Sequence, residues 1–121
     1  MVNAREEFLN IFKRYKNLNP LSVKCAVIGY NPDSMVDLDV DDIINGKDCI
    51  RRAILPIGWK NNNWDRFLQD LNFNYDDGYG SQELYGIVWF KDGSWFKREE
   101  EDGLEWWVYT SVPQIPDEML L

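Results

Sequence analysis

The chain has 121 residues, 45% of them hydrophobic and 15% aromatic, a composition that makes one folded domain with a single core and excludes wholesale disorder. A net charge of −8, with a pI near 4.4, disfavours binding to nucleic-acid phosphates or an anionic membrane and suits a basic partner. There is no histidine, which removes the commonest general base and metal ligand, and the two cysteines lack the spacing of a metal clip or disulfide framework.

Along the chain, Asn3 followed by Glu6 has the spacing of a capping box, and Phe8, Ile11, Phe12 and Tyr15 recur at helical intervals. An amphipathic helix is predicted, with Lys13, Arg14 and Lys16 at its carbonyl end and Asn19-Pro20 as its stop. Residues 22–30 are short and rich in Val, Ile and Ala on both faces, the pattern of a central strand covered on each side, with Cys25 as a small core residue. Residues 35–46 are acidic and read as a loop with one helical turn starting near Asp41. Residues 49–57 form a second strand running back along the first, with Pro56 near its end. Asn62 is placed to cap a second helix whose apolar face is Trp64, Phe67, Leu68 and Leu71. A Gly- and Asp-rich loop follows at 76–81.

Eleven of the eighteen aromatic residues fall between Phe73 and Tyr109, and residues 76–121 also carry three bases against eleven acids. Three strands are predicted here. Asp92-Gly93 is a strong signal for a two-residue type I′ turn, which sets Phe90 opposite Trp95 and Trp89 opposite Phe96. At the next turn, a two-residue loop would set Glu100 against Glu105. Like charges directly opposite are destabilising, so a four-residue loop over 100–103 is expected, pairing Arg98 with Glu105 and Phe96 with Trp107. One sheet face then carries Ile87, Trp89, Phe96, Arg98, Glu105, Trp107 and Tyr109. The other carries Val88, Phe90, Trp95, Lys97, Trp106 and Val108, and is expected to pack on the helices. The fold class that follows is α+β: one domain with a single mostly antiparallel sheet, built from a hairpin and a three-stranded meander, with two helices on one face.

Few patterns point to chemistry. Asp37, Asp39 and Asp41, with Asn45 and Asp48, partly match a calcium loop, but Asp42 stands where a sharp turn needs glycine and Asp48 where a bidentate Glu is usual, so a solvated acidic loop is expected. Asp76, Asp77 and Glu83 are carboxylates of the kind a hydrolase uses, yet no nucleophile-and-base pair accompanies them. Gly78-Tyr79-Gly80-Ser81 lacks the strand-before, helix-after setting of a phosphate loop. No catalytic residue, metal ligand or cofactor is expected. The tryptophans are a different matter, since exposed Trp and Tyr dominate protein interfaces and also stack on planar ligands. With no apolar run of membrane-spanning length and no apolar core of a signal peptide at the N-terminal residues, a cytosolic protein is expected.

The run from Tyr75 through Asp76-Asp77-Gly78-Tyr79-Gly80-Ser81-Gln82-Glu83 to Leu84, then Trp89-Phe90-Lys91-Asp92-Gly93-Ser94-Trp95, Asp102-Gly103-Leu104-Glu105-Trp106-Trp107 and Pro113-Gln114-Ile115-Pro116, resembles a class of small proteins encoded by phages and prophages. The resemblance spans about residues 67–116. It implies a mobile-element origin and brings no activity, cofactor or site residue with it. The expectation is a non-enzymatic protein in the host cytosol that binds a host protein with a basic surface, inhibiting a defence or nucleic-acid-handling enzyme, with no direct contact to nucleic acid or membrane. Glu99, Glu100, Glu101 and Asp102 would steer the encounter, and Trp89, Phe96, Trp107 and Tyr109 would anchor it. A protein that sequesters a nucleotide-like or other planar ligand between tryptophans is the alternative. The sequence leaves the oligomeric state open.

Overall fold

The computed structural model describes residues 1–78, 80–113 and 115–121; Tyr79 and Gln114, both in segments that carry the resemblance, lie outside the described residues. A short strand β1 (Val2–Asn3) leads into helix α1 (Ala4–Arg14). Asn3 Oδ1 accepts the Glu6 N–H at 3.0 Å, as the capping spacing requires, while Asn3 Nδ2 donates to Asn72 and Asn74. One side chain thus starts the helix and ties it to a distant loop. Strand β2 (Val23–Tyr30) follows, then helix α2 (Val40–Asn45), strand β3 (Arg51–Leu55), helix α3 (Asn61–Asp70), the short strand β4 (Asn74–Tyr75), and the meander β5 (Leu84–Phe90), β6 (Trp95–Glu101) and β7 (Leu104–Thr110).

The architecture is α+β, as the sequence predicts. A five-stranded sheet in the order β3-β2-β5-β6-β7 has every neighbouring pair antiparallel, and β1 pairs with β4 as a separate two-stranded ribbon. Helices α1 and α3 cover one face. Phe8 of α1 packs edge-on to Phe12 and Phe67, and the cluster continues through Ile28, Leu55, Val88, Phe90, Phe96 and Trp107. The sequence gives two helices on that face; the third, α2, lies on the other, where Ile43 packs with Leu38, Val27 and Tyr85. Its capping box is made by Asp39 and Asp42, each side chain accepting the other's backbone N–H, and Gly46 closes it in the left-handed region. Strand β2 is therefore covered on both faces, which is why its apolar residues do not alternate. Among the described residues, no helix is long and apolar enough to cross a membrane.

Both Asp-Gly turns differ from expectation, and in opposite senses. At the first, Trp89 pairs with Trp95 and Val88 with Phe96, while Phe90 N–H donates to Ser94 O, leaving a three-residue loop of Lys91, Asp92 and Gly93. Asp92 Oδ1 accepts both the Ser94 N–H and the Ser94 hydroxyl, which pulls the turn into this longer form with only Gly93 at positive φ. At the second, Asp102 and Gly103 both have positive φ and make the two-residue type I′ turn, pairing Arg98 with Trp107, Phe96 with Tyr109 and Glu100 with Glu105. The like-charge pair is tolerated because the two carboxylates look elsewhere. Glu100 accepts the Gly103 N–H, and Glu105 is buried against Arg98.

These registers decide the faces. A slip of one residue moves a whole strand's side chains to the opposite face, so the first turn exchanges β5's two sets relative to β6. A slip of two changes partners and leaves faces alone, so the second turn does not disturb β6 and β7. The helix-packed face consequently carries Val88, Phe90, Phe96, Arg98, Glu105, Trp107 and Tyr109, correcting the expected assignment of Trp95, Lys97, Trp106 and Val108 to it. Cys25, expected in the core, is half-buried opposite Trp89 on the outer face.

Candidate interaction surface

The hairpin of β6 and β7 is held from inside by a buried ionic cluster. Arg98 Nη2 donates to Glu105 Oε1 at 2.5 Å and to the Tyr75 hydroxyl at 2.9 Å, and Nη1 donates to Glu7 Oε1 at 3.0 Å. The guanidinium also lies over the rings of Tyr75 and Trp107, with its carbon 5.5 and 5.2 Å from their centroids. Glu105 accepts in addition the backbone N–H groups of Glu83 and Leu84, so a β7 side chain satisfies the start of β5. Burial works against the charge on Arg98, but Glu7, Tyr75 and Glu105 together hold its pKa above the ordinary value. Burial pushes the Tyr75 hydroxyl far above a normal phenol; Arg98 opposes that shift and Glu7 adds to it. The cluster joins α1, β4, β6 and β7. Its side chains at Arg98 and Glu105 are 1% and 0% exposed and fix the hairpin from inside, while Glu7 keeps 21% of its side-chain surface at the rim.

With the inner face committed in this way, the outer face of the meander shows the other set. Cross-strand rows run Cys25, Trp89, Trp95, Thr110 and then Val27, Ile87, Lys97, Val108, with Trp106 opposite Glu99 beyond them. Helix α2 and the segment before it cover the β2 and β5 side of these rows, with Tyr85 in that cluster and Trp89 packed against it. Trp89 and Trp95 are half-buried, and Trp106 is 39% exposed. The acidic hairpin is contiguous with them: Glu99, Glu100, Glu101 and Asp102 are all exposed, and the Glu99 side chain stands on the outer face next to Trp106.

Between this face and the segment before α2 lies a cleft of about 410 Å³, with Leu38, Val40, Ile43 and Ile87 as apolar lining and Asp37, Asp39, Glu99 and Lys97 among its polar residues. Tyr85 closes its base, donating its hydroxyl toward Val36 O and Gln82 O; burial first, then the nearby Asp37 carboxylate, push that phenol up to about 12. In the acidic segment that partly matches a calcium loop, Asp39 and Asp42 cap α2. Among the described residues, no three His, Cys, Asp or Glu side chains converge as metal ligands.

The residues singled out from sequence divide sharply. Phe96 and Trp107, expected as anchors on an exposed face, are 1% and 9% exposed and belong to the helix-packed core. Tyr109 is on the same inner face, its ring 4.9 Å from Tyr15. Trp89 does lie on the outer face, half-buried, and Glu99, Glu100, Glu101 and Asp102 are exposed further along the meander, beyond the row of Ile87, Lys97 and Val108. The outer tryptophans that sequence reasoning placed under the helices are Trp95 and Trp106. The missed signal was Ser94, whose N–H and hydroxyl give Asp92 two local donors that Leu104 cannot offer Asp102. Asp76 Oδ1 accepts the Gly78 N–H and Glu83 Oε1 the Asp76 N–H, so these two carboxylates hold the loop, while Asp77 contributes its backbone carbonyl, which accepts the Glu105 N–H. No family model, curated protein or solved structure matches this chain.

Proposed function

We propose that this chain is a non-enzymatic interaction protein of phage or prophage origin that acts in the host cytosol by binding a host protein through the outer face of β5, β6 and β7. The observation that carries the reading is the direct opposition of Glu99 and Trp106 in the β6–β7 ladder, which sets an exposed tryptophan against the root of the exposed acidic hairpin. Aromatic anchors supply desolvated contact, and a cluster of like charge steers a partner of opposite charge. A basic protein surface fits, above all one that ordinarily holds nucleic acid, so inhibition of a defence or nucleic-acid-handling enzyme is the specific form of the proposal.

The test uses the polypeptide that co-purifies with the chain from host lysate, identified and then produced on its own. Its association is measured with wild type, with E99K/E100K/E101K/D102K and with Trp106→Ala at two salt concentrations. Charge reversal is expected to lower the on-rate and flatten its salt dependence, while Trp106→Ala speeds dissociation; equal rates for all three proteins would remove the proposal. A second reading rests on the cleft of about 260 Å³ between α1 and β7, where Arg14, Tyr15, Trp106 and Trp107 gather. It would hold a planar ligand, although it lies below the roughly 300 Å³ at which ligand pockets usually begin. Native mass spectrometry separates the two, since a co-purifying small molecule in place of a polypeptide favours sequestration.

A further inference from the structure

At the end of the sheet nearest the β5–β6 turn, the surface reverses the character of the rest of the molecule. Leu21 and Ile57 are 70% and 71% exposed and flank a groove of about 410 Å³ whose floor includes Val23 and Trp59. The Trp59 ring is fixed there by its Nε1–H, which donates to Val23 O at 2.9 Å, and by stacking on Trp64 at 5.2 Å. The floor is therefore set before anything binds. Around it stand Lys24, Lys60 and Lys91, all exposed, and the groove's lining contains no carboxylate. The nearest one in sequence, Asp92, is engaged by the N–H and hydroxyl of Ser94. In a chain of net charge −8, an apolar groove rimmed by three lysines calls for an occupant that is both acidic and apolar.

The chain carries such a segment. Beyond β7, Ile115, Met119, Leu120 and Leu121 are all exposed, and Asp117 and Glu118 stand among them in a single 3-10 turn, Asp117–Met119. The root of this segment lies beside the groove: Thr110 pairs with Trp95, and Val112 sits so close to Gly93 that a Cβ on that glycine would be 3.1 Å from Val112 Cγ2. Gly93 belongs to the loop that also presents Lys91 to the groove. Pro116 has the extended polyproline conformation, φ −62° and ψ 145°. Within one chain both the groove residues Leu21 and Ile57 and the segment's Ile115, Met119, Leu120 and Leu121 are exposed, so the segment is not seated in its own groove.

We propose that residues 115–121 dock into the groove of Leu21, Ile57 and Trp59 on a second copy of this chain, giving a two-fold dimer with reciprocal exchange of the two segments. Met119 and Leu120 cover the apolar floor, and Asp117 and Glu118 meet Lys24, Lys60 and Lys91. The contact is isologous, so each copy supplies both halves. It uses none of the acidic hairpin, and its failure would leave the proposed host-protein contact standing.

Sedimentation velocity over a range of concentrations tests this with a charge exchange. Wild type is expected to dimerise, and K24E/K60E/K91E and D117K/E118K are each expected to lose the dimer, because groove and segment then carry the same sign. Mixing the two variants is expected to restore a dimer, since each segment meets a groove of opposite charge. All the substituted residues are exposed, and circular dichroism melting of each variant checks that it folds. A wild-type monomer at every concentration would overturn the proposal, including the case in which the segment sits in its own groove. So would a dimer that survives both variants, or a mixture of the two that stays monomeric.

Discussion

Arg98 is the residue on which the hairpin's construction turns. It is the cation of the buried cluster, shared between Glu7 and Glu105, with Tyr75 and Trp107 against its plane. Removing one partner of a buried pair leaves the other uncompensated, so Arg98→Met is expected to lose about 3–5 kcal/mol of stability in denaturant unfolding. Lys97→Ala, one residue away on the exposed outer face, is expected to stay within about 0.5 kcal/mol. The tyrosines give a pH test at the same scale. Tyr85 has a phenol raised from 10 to about 12, and Tyr75 is raised further by burial. A raised folded pKa means stability that is complete below the ordinary phenol pKa and lost as pH climbs through the folded one. Stability is thus expected to fall above pH 10, and tyrosinate absorbance in the folded protein to reach full amplitude only on unfolding. Normal titration of every tyrosine while the fold persists would contradict this.

At the scale of elements, the two Asp-Gly turns show where sequence reasoning succeeds and where it stops. Helices α1 and α3, the β2–β3 hairpin and the three-stranded meander follow from periodicity and turn residues, because those signals are local. The relative faces of β5 and β6 do not, because they depend on one residue of loop length, and Asp-Gly fits both lengths. The preference against opposing Glu100 and Glu105 also misled, since the relief comes from Arg98 across the core and from two backbone N–H groups of β5. The Arg98–Glu105 pair was legible; the diagonal geometry by which it forms was not. Phe96→Ala is expected to cost about 3–5 kcal/mol as a buried aromatic truncation, and Trp95→Ala clearly less. The reverse order would restore the two-residue first turn. Helix α2 adds a further check, because a Cβ on Gly29 would meet Ile43 Cγ1 at 2.7 Å. Gly29→Ala is expected to cost about 1–3 kcal/mol by pushing α2 off the sheet, read as faster hydrogen exchange in α2 than in β6.

For the whole molecule, the distribution of covering elements explains the surface. Helices α1 and α3 take the inner face, α2 takes the β2 and β5 side of the outer one, and Trp95 and Trp106 of β6 and β7 share the rest of that face with the acidic hairpin. The exposure of Glu99, Glu100, Glu101 and Asp102, the acidic half of the proposed surface, was readable from sequence because charge in a hairpin turn is exposed in either register. The aromatic half was not: Trp89 stays, and Trp95 and Trp106 take the places expected for Phe96 and Trp107. The central claim is that this patch works as one unit, with charge setting the encounter and tryptophan setting the lifetime of a complex with a basic host protein. It is tested most directly by association kinetics with the co-purifying polypeptide at two salt concentrations, comparing wild type with E99K/E100K/E101K/D102K. The account expects a slower on-rate and a weaker salt dependence in the charge-reversed protein. An unchanged on-rate with unchanged salt dependence would contradict it.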